Sequence, residues 1–277
     1  MSKVKLNYVS LKRVPILNQL LYEEVLLRCS NDNWFVYNIG NKKPTIVIGY
    51  SGKVNDLLHV NKVYNDNINV IRRYTGGGTV IVDNNTIFAS IIMNSNNVNT
   101  QPYPRNIMTW SDHTLYGPIF KKYNQSFALR EHDYVFNDMK FGGNAQSIIK
   151  ERWVHHTSFL WDYNYNTMEY LKIPLKKPEY RGNRNHHDFL TKLKNYIPSL
   201  ESFENDIIQQ LSLVYDINYI DDNNIDTIVN DLKNNSNNSN INSLIRTTVV
   251  DINEYVNKKP DSTIPSLVKM GPSCTNI

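Results

Sequence analysis

Two short stretches of this chain set a cation beside bare backbone. Residues 72–83 read RRYTGGGTVIVD, in which Arg72 and Arg73 precede Gly76, Gly77 and Gly78 and a β-branched run ends at Asp83. Residues 138–146 read DMKFGGNAQ, with Lys140 two residues ahead of Gly142 and Gly143. Glycine loses more conformational freedom on folding than any other residue. Three in a row are therefore costly to order, and the cost is easiest to understand if something must lie against the backbone. The N–H groups of such a loop can hold an anion, and a guanidinium pairs bidentately with a carboxylate or a phosphate. A lysine ammonium is a compact charge suited to a carboxylate attacking a phosphate, where negative charge accumulates. Each stretch also has an ordinary explanation: a mobile hairpin turn for the glycines, a solvated lysine for Lys140. Their conjunction is harder to dismiss, since five of the chain's 11 glycines fall in them. Neither GxxxxGK[ST] nor a GxGxxG opening a helix occurs, which argues against a P-loop and a dinucleotide fingerprint.

These residues need strands to present them. KLNYVSL, 5–11, alternates and predicts a strand; Pro15 then opens a helix carrying Ile16, Leu17, Leu20, Leu21 and Val25 at helical spacing. FVYNIGNKKPTIVIGY, 35–50, predicts two strands around Gly40-Asn41, and TVIVD and TIFASIIM flank a hairpin turn at Asn84-Asn85. Residues 104–123 predict a helix. Residues 123–163 predict several strands, with turns at Asn137-Asp138 and Gly142-Gly143. SFENDIIQQLSLVY, 202–215, predicts a second helix with Phe203, Ile207, Ile208, Leu211 and Val214 on one face. Hairpins outnumber strand–helix–strand crossovers, so the expected class is α+β, a mixed, largely antiparallel sheet with packed helices. On a strand, adjacent residues face opposite sides, so at most one arginine of the pair reaches a ligand. Arg73, nearer the glycines, is the expected one; Arg72 braces the fold or lies in solvent. Asp83 suits a cap on the Asn84-Asn85 turn.

Composition sets limits. The chain has 277 residues, 40% hydrophobic and 20% charged, with a net charge of +4. That balance is too weakly basic to argue for nucleic acid. No run of eighteen apolar residues predicts a membrane span. Cys29 and Cys274 have no metal-ligand spacing and fit a reducing compartment. His186 and His187 lack a carboxylate or cysteine spacing that would make a metal site. The N-terminus lacks the apolar core of a secretion signal, so a cytoplasmic location is expected, with mitochondrial targeting as the alternative. The 18 tyrosines are spread along the chain, and Trp153 and Trp161 read as core. Residues 221–245 are Asn-rich and predict a disordered insertion or linker. The expected division is a catalytic domain over 1–220, this linker, and a tail over 246–277 without a full accessory domain.

Three blocks resemble the lipoate–protein ligase branch of the biotin/lipoate protein ligase family. RRYTGGGTVIVD is similar to its RRxxGGGxVxxD loop. HDYVFNDMKFGGNAQSIIKERWVHHTSFLWD, 132–162, is similar to its aspartate, K-[IFV]-[GS]-G-[NS]-A and HH-x-[TS]-x-L sequence. KKPEYRGNRNHHDFL, 176–190, is similar to a PxYRxxRxHxxF stretch. The resemblance covers roughly residues 5–215. It implies a class II aminoacyl-tRNA synthetase-like fold and a two-step reaction. Lipoate, or octanoate, and Mg²⁺-ATP give an acyl-adenylate, and the acyl group then passes to a lysine of a lipoyl domain, in the E2 subunit of a 2-oxoacid dehydrogenase or in the glycine cleavage H protein. It implies Lys140 as the catalytic lysine bridging carboxylate and α-phosphate. It implies lipoyl-AMP binding by Arg73, Gly76, Gly77, Gly78, Asp133, Asn144, Ala145 and Gln146, with Arg72, Thr75, Asp83 and His156 as further candidates. His155 and His156 match the family's pair and read as structural. Protein metal ligands are not implied, because Mg²⁺ comes with the nucleotide.

The chain departs from the family in places. Val82 stands where many bacterial members have histidine before the motif aspartate. Neither cysteine matches the nucleophile position of acyl-enzyme octanoyl transferases, and the GRGRxGR-type loop of biotin ligases is absent. The expected lack of a full accessory domain keeps two alternatives open: a lipoyltransferase using preformed lipoyl-AMP, and a non-catalytic relative that binds the acyl chain or a lipoyl domain.

Overall fold

The alternation in KLNYVSL becomes β1 (Val4–Lys12), with Leu6, Tyr8, Val9 and Leu11 buried. Pro15 then lets the chain enter α1 (Ile16–Cys29), which ends at Ser30. The computed structural model describes residues 3–174, 177–235 and 241–256. Among them the other strands are β2 (Trp34–Ile39), β3 (Thr45–Ile48), β4 (Asn69–Arg72), β5 (Val80–Val82), β6 (Thr86–Asn94), β7 (Phe127–Arg130), β8 (Asp133–Phe136), β9 (Met139–Ile149), β10 (Arg152–Leu160), β11 (Tyr215–Ile220) and β12 (Thr248–Val249). They form an eight-stranded sheet, β11-β1-β2-β6-β10-β9-β8-β7, and a four-stranded sheet, β12-β4-β3-β5. β1 pairs in parallel with β11 and β2, β3 pairs in parallel with β4, and the remaining pairings are antiparallel. The class is mixed α+β, as expected.

The large sheet is buried on both faces. One face packs Phe35, Tyr37, Met93, Tyr134, Trp153 and Phe159 against the helices Pro104–Ser111, Gly117–Tyr123 and Leu200–Val214. Phe203, Ile207 and Leu211 supply the inner side of the last helix, while Val214 is exposed. The other face packs Val36, Phe88, Ile92 and Val154 against α1 and against Val47, Ile71 and Val82 of the small sheet. Burying aliphatic and aromatic side chains at about 25 cal/mol per Å² makes these two layers the main source of stability.

Three local expectations change. The strands on either side of Gly40-Asn41, and those on either side of Asn84-Asn85, do not pair with each other: β2 and β6 lie in the large sheet, β3 and β5 in the small one. The turns exist, but they carry the chain between layers, because both flanking runs are apolar enough to be buried in different places. Gly142-Gly143 is not a turn. It lies inside the eleven-residue β9, and a Cβ at Gly142 would come 3.1 Å from the Tyr134 ring and 3.2 Å from the Phe159 ring. The glycine makes room for aromatic packing across the strand. Third, residues 225–235 of the expected linker form a helix. Ile225, Ile228, Val229 and Leu232 repeat at three- and four-residue steps among the polar residues and pack into the layer containing α1. Beyond it, Glu24 of α1 accepts from the Arg246 and Thr247 amides at 2.9 and 3.0 Å and from the Thr247 hydroxyl at 2.9 Å. Those bonds deliver β12 to the edge of β4. Most of the tail, with Cys274, lies outside the described residues. No helix among those described is long and apolar enough to cross a membrane.

Candidate functional site

The antiparallel register of β8, β9 and β10 fixes which predicted residues share a surface. Asp133 faces Gly143, Gly143 faces Ser158, and Ala145 faces His156, so these side-chain directions lie on the face covered by α1. Above them passes the triple-glycine loop, between β4 and β5. A Cβ at Gly77 would lie 3.4 Å from the Ala145 Cβ, and one at Gly143 would lie 3.3 Å from the Lys140 Nζ. Gly143 and Ala145 are two residues apart on one strand face, about 7 Å. The lysine amine and the glycine loop thus occupy the same side of the sheet, one pleat apart.

Lys140 leaves β9 near its start and pairs through Nζ with Asp133 Oδ1 at 2.8 Å. Asp133 is buried, and its other oxygen accepts from the Tyr180 hydroxyl at 2.8 Å. Burial, then the Asp133 charge, pushes the Tyr180 pKa upward, so the phenol stays a donor. The stretch around Tyr180 closes over this end of the site. The Thr191 amide donates to the Lys140 carbonyl at 2.8 Å, Arg184 donates to the Asp138 carbonyl at 2.9 Å, and the Arg181 and Arg184 guanidinium groups lie over the Phe189 ring at 4.7 and 5.2 Å. Tyr180 and Arg181 were not among the predicted site residues. The PxYRxxRxHxxF similarity was the signal that could have found them.

Arg73 is turned toward the loop itself. Its Nε and Nη2 donate to the Gly76 carbonyl at 3.2 and 2.8 Å, and Nη2 also donates to the Gly78 carbonyl at 2.9 Å. The side chain is buried, and burial pulls its pKa down to about 10, opposed by Glu23. It remains charged at neutral pH and braces the loop from beneath rather than facing outward. The reason is the loop itself: carbonyls turned inward by consecutive glycines need donors, and the nearest fork supplies them. Arg72 braces as well, donating to the carbonyls of Gly49, Tyr50 and Gly52. Asp83 caps its turn, accepting from the Asn85 amide at 2.9 Å and the Thr86 hydroxyl at 3.2 Å.

Asn144 is held at both ends of its amide. It donates to the His132 carbonyl at 3.0 Å and accepts from the Thr157 hydroxyl at 2.6 Å. Gln146 donates to the Pro104 carbonyl at 3.3 Å and to His155 Nδ1 at 3.0 Å, and so lies on the opposite face of β9 from Ala145. The structure therefore brings together Lys140, Asp133, Ala145 and the glycine loop, and separates Gln146 from them. Thr75 and His156 sit directly under the loop, with Thr75 Oγ1 3.2 Å from His156 Nε2. No group of three or more His, Cys, Asp or Glu that could hold a metal ion occurs among the described residues.

The histidines make stability pH-dependent. Burial, then the neighbouring His156 charge, lowers the His155 pKa to about 3. Burial, then Arg181 and Lys140, lowers that of His186 to about 4. His156 is also lowered, chiefly by burial. The unfolded chain protonates these groups near 6.5, so between that pH and the folded values it binds more protons than the native state. Stability is then complete above about pH 6.5 and falls as pH drops toward 4. Urea midpoints at pH 7.5 and pH 5 check this: the lower pH should give the lower midpoint, and equal midpoints would refute it.

The two sheets thus set an arginine-braced glycine loop and a lysine–aspartate pair on one face of a mixed α+β fold. The chain belongs to the lipoyl protein ligase A/B catalytic domain family, whose model matches residues 15–212. It is 30% identical over 243 residues to a Plasmodium falciparum (isolate 3D7) protein named inactive lipoate–protein ligase 2, an alignment covering 68% of this chain and 63% of that protein. It is 26% identical over 160 residues to a probable lipoate-protein ligase A of Mycoplasma genitalium, covering 56% of this chain and 45% of the relative. The alignments thus span less than two thirds of either relative. Among solved structures, lipoate-protein ligase A bound with ATP superposes with a TM-score of 0.63 at 15% identity, covering 84% of this chain and 95% of that one. P. falciparum LipL1 in complex with lipoate gives 0.61 at 21% identity, covering 85% and 73%. The Thermoplasma acidophilum bipartite lipoate protein ligase, solved in a study with its E2 lipoyl domain, gives 0.65 at 16% identity, covering 85% and 93%. At these identities the likeness is one of fold.

Proposed function

We propose that the chain is a lipoate–protein ligase that activates lipoate or octanoate with ATP and transfers the acyl group to a lysine of a lipoyl domain. The observation that carries this reading is the Lys140 amine held 2.8 Å from Asp133 on the same sheet face as the glycine loop. In the first step a carboxylate oxygen of the acid attacks the α-phosphorus and pyrophosphate leaves, giving the mixed anhydride. Two anions must approach, and Lys140 offsets their repulsion and stabilises the charge that develops on phosphorus. Asp133 and Tyr180 hold the amine in place until the phosphate competes for it. The amides of Gly76–Gly78, set by Arg73, face the anhydride. In the second step the acceptor amine attacks the acyl carbon, AMP leaves, and the nitrogen loses a proton. Lys140 polarises the acyl carbonyl during that attack. Mg²⁺ would be carried by the nucleotide phosphates. The acceptor is proposed to be a lipoyl domain of a 2-oxoacid dehydrogenase E2 subunit or the glycine cleavage H protein.

A second reading is favoured by the name of the Plasmodium relative, an inactive ligase: a chain that transfers a preformed acyl group or only binds it. Radioactive pyrophosphate–ATP exchange with lipoate separates them. Exchange is expected. Transfer from supplied lipoyl-AMP without exchange would make the chain a transferase, and neither would make it a binder.

A further inference from the structure

Beneath the glycine loop runs a chain of polar groups that the reaction does not touch. His156 Nδ1 lies 3.0 Å from Glu23 Oε2, and its Nε2 lies 3.2 Å from the Thr75 hydroxyl. Glu23, His156 and Thr75 are all at most 2% exposed. Glutamate in the middle of a helix is ordinarily on the surface; here α1 turns Glu23 into the interlayer space. There its Oε1 accepts from the Ser90 hydroxyl at 2.6 Å and the Gln19 amide at 3.0 Å, and Oε2 accepts from the Tyr74 hydroxyl at 3.4 Å. Every group around it donates, as a buried carboxylate requires. That fixes the imidazole: Nδ1 carries the proton and donates to Glu23, and Nε2 accepts from Thr75. The Phe88 ring, 4.9 Å away, holds the imidazole from the side.

Thr75 is the residue immediately before Gly76, and its carbonyl accepts from the Tyr50 amide at 2.9 Å. We infer that Glu23, His156 and Thr75 form a positioning relay that anchors the foot of the triple-glycine loop, with Glu23 as a positioning residue of the site. Arg73 ties the loop's carbonyls and the relay ties its entrance. Together they fix the backbone of glycines that have no side chains of their own to pack. Rigid buried donors and acceptors hold a catalytic loop more closely than loop packing can. The functional side of this inference rests on the ligase reading; the structural side does not.

The test uses Thr75→Val, which keeps the shape and deletes the hydroxyl, beside Thr75→Ser, which keeps the hydroxyl and deletes the methyl. Hydrogen exchange of amides 73–80 and steady-state acyl transfer from lipoyl-AMP are measured on both. The relay predicts loop exchange about tenfold faster in Thr75→Val, the loss of one net hydrogen bond, with β6 and β10 unchanged. It also predicts kcat down by about tenfold or more, with KM moving less. Thr75→Ser should bring both readouts back toward wild type. Glu23→Gln should loosen the same amides from the far end. Wild-type loop exchange in Thr75→Val, or a Thr75→Ser variant as impaired as Thr75→Val, would overturn the relay. If the wild-type protein transfers nothing, the exchange arm still decides the relay, and the ligase reading alone fails.

Discussion

Lys140→Ala is expected to lower acyl transfer by about 100- to 1000-fold, the usual cost of removing a preorganised group aimed at developing charge, while leaving the fold intact. The structure separates those two effects. What ties Lys140 to the fold is its backbone, through the Thr191 amide and the bridge to Leu190, and alanine keeps both. The amine is partly exposed, and its partner within the protein is Asp133. After the substitution Asp133 retains the Tyr180 hydroxyl, so the buried carboxylate loses one partner of two. That costs on the order of 1–3 kcal/mol, a lower melting temperature rather than an unfolded chain. Lys140→Ala/Asp133→Asn removes the uncompensated charge and should recover part of that stability without recovering activity. Rates on lipoyl-AMP, with melting temperatures alongside, read both. A well-folded Lys140→Ala enzyme with normal transfer would end the assignment of this lysine, and with it the proposed chemistry.

How far the sequence carried can be judged from particular residues. α1 and the helix at 200–214 were legible because their apolar residues repeat at helical spacing, although α1 is buried on all sides from Tyr22 to Leu27 rather than along one face. Strand existence was legible for the same kind of reason; Lys140 was singled out by its local spacing to Gly142 and Gly143, but its place near Gly76–Gly78, far earlier in the chain, comes from the register of β9 and β10. Partnership between strands was not. The runs on either side of Asn84-Asn85 look like a hairpin because alternation says nothing about which sheet receives a strand, and here the turn crosses layers. Gly142-Gly143 resembles a turn because two glycines usually are one; only the Tyr134 and Phe159 rings, brought in by β8 and β10, explain them inside a strand. The helix at 225–235 was hidden by asparagine content, although its four apolar residues already carried the period. Glu23 was invisible, since an acidic residue in a helix gives no sign that it is turned inward. Arg73 belongs to the expected loop, and its donors go to the Gly76 and Gly78 carbonyls. Sequence places a guanidinium near glycines and cannot say that the loop's own carbonyls take its donors.

The three glycines should not respond alike to alanine. Gly77 has φ +93°, and a Cβ there would lie 2.9 Å from Arg73 Nη2. An L side chain in that backbone region costs about 1–2 kcal/mol. Relieving the contact would move the guanidinium that holds Gly76 and Gly78, so Gly77→Ala should lower both stability and transfer, with transfer falling by about tenfold or more. Gly76 and Gly78 are different. A Cβ at either meets nothing within 4 Å, and neither has a positive φ. The fold gives no reason for glycine at these two positions, and alanine there should leave stability unchanged within about 0.5 kcal/mol or raise it slightly by restricting the unfolded chain. On the proposed ligase reading an acyl-adenylate lies against this bare backbone, and a methyl group would stand between the ligand and the amides. Gly76→Ala and Gly78→Ala should therefore melt like wild type and yet transfer about tenfold more slowly or worse, chiefly through weaker binding of lipoyl-AMP. The same pair of measurements reads the opposite case. If both variants keep full activity, the loop is not glycine-rich for the sake of a ligand, and its anion-binding role disappears even if Lys140 proves essential.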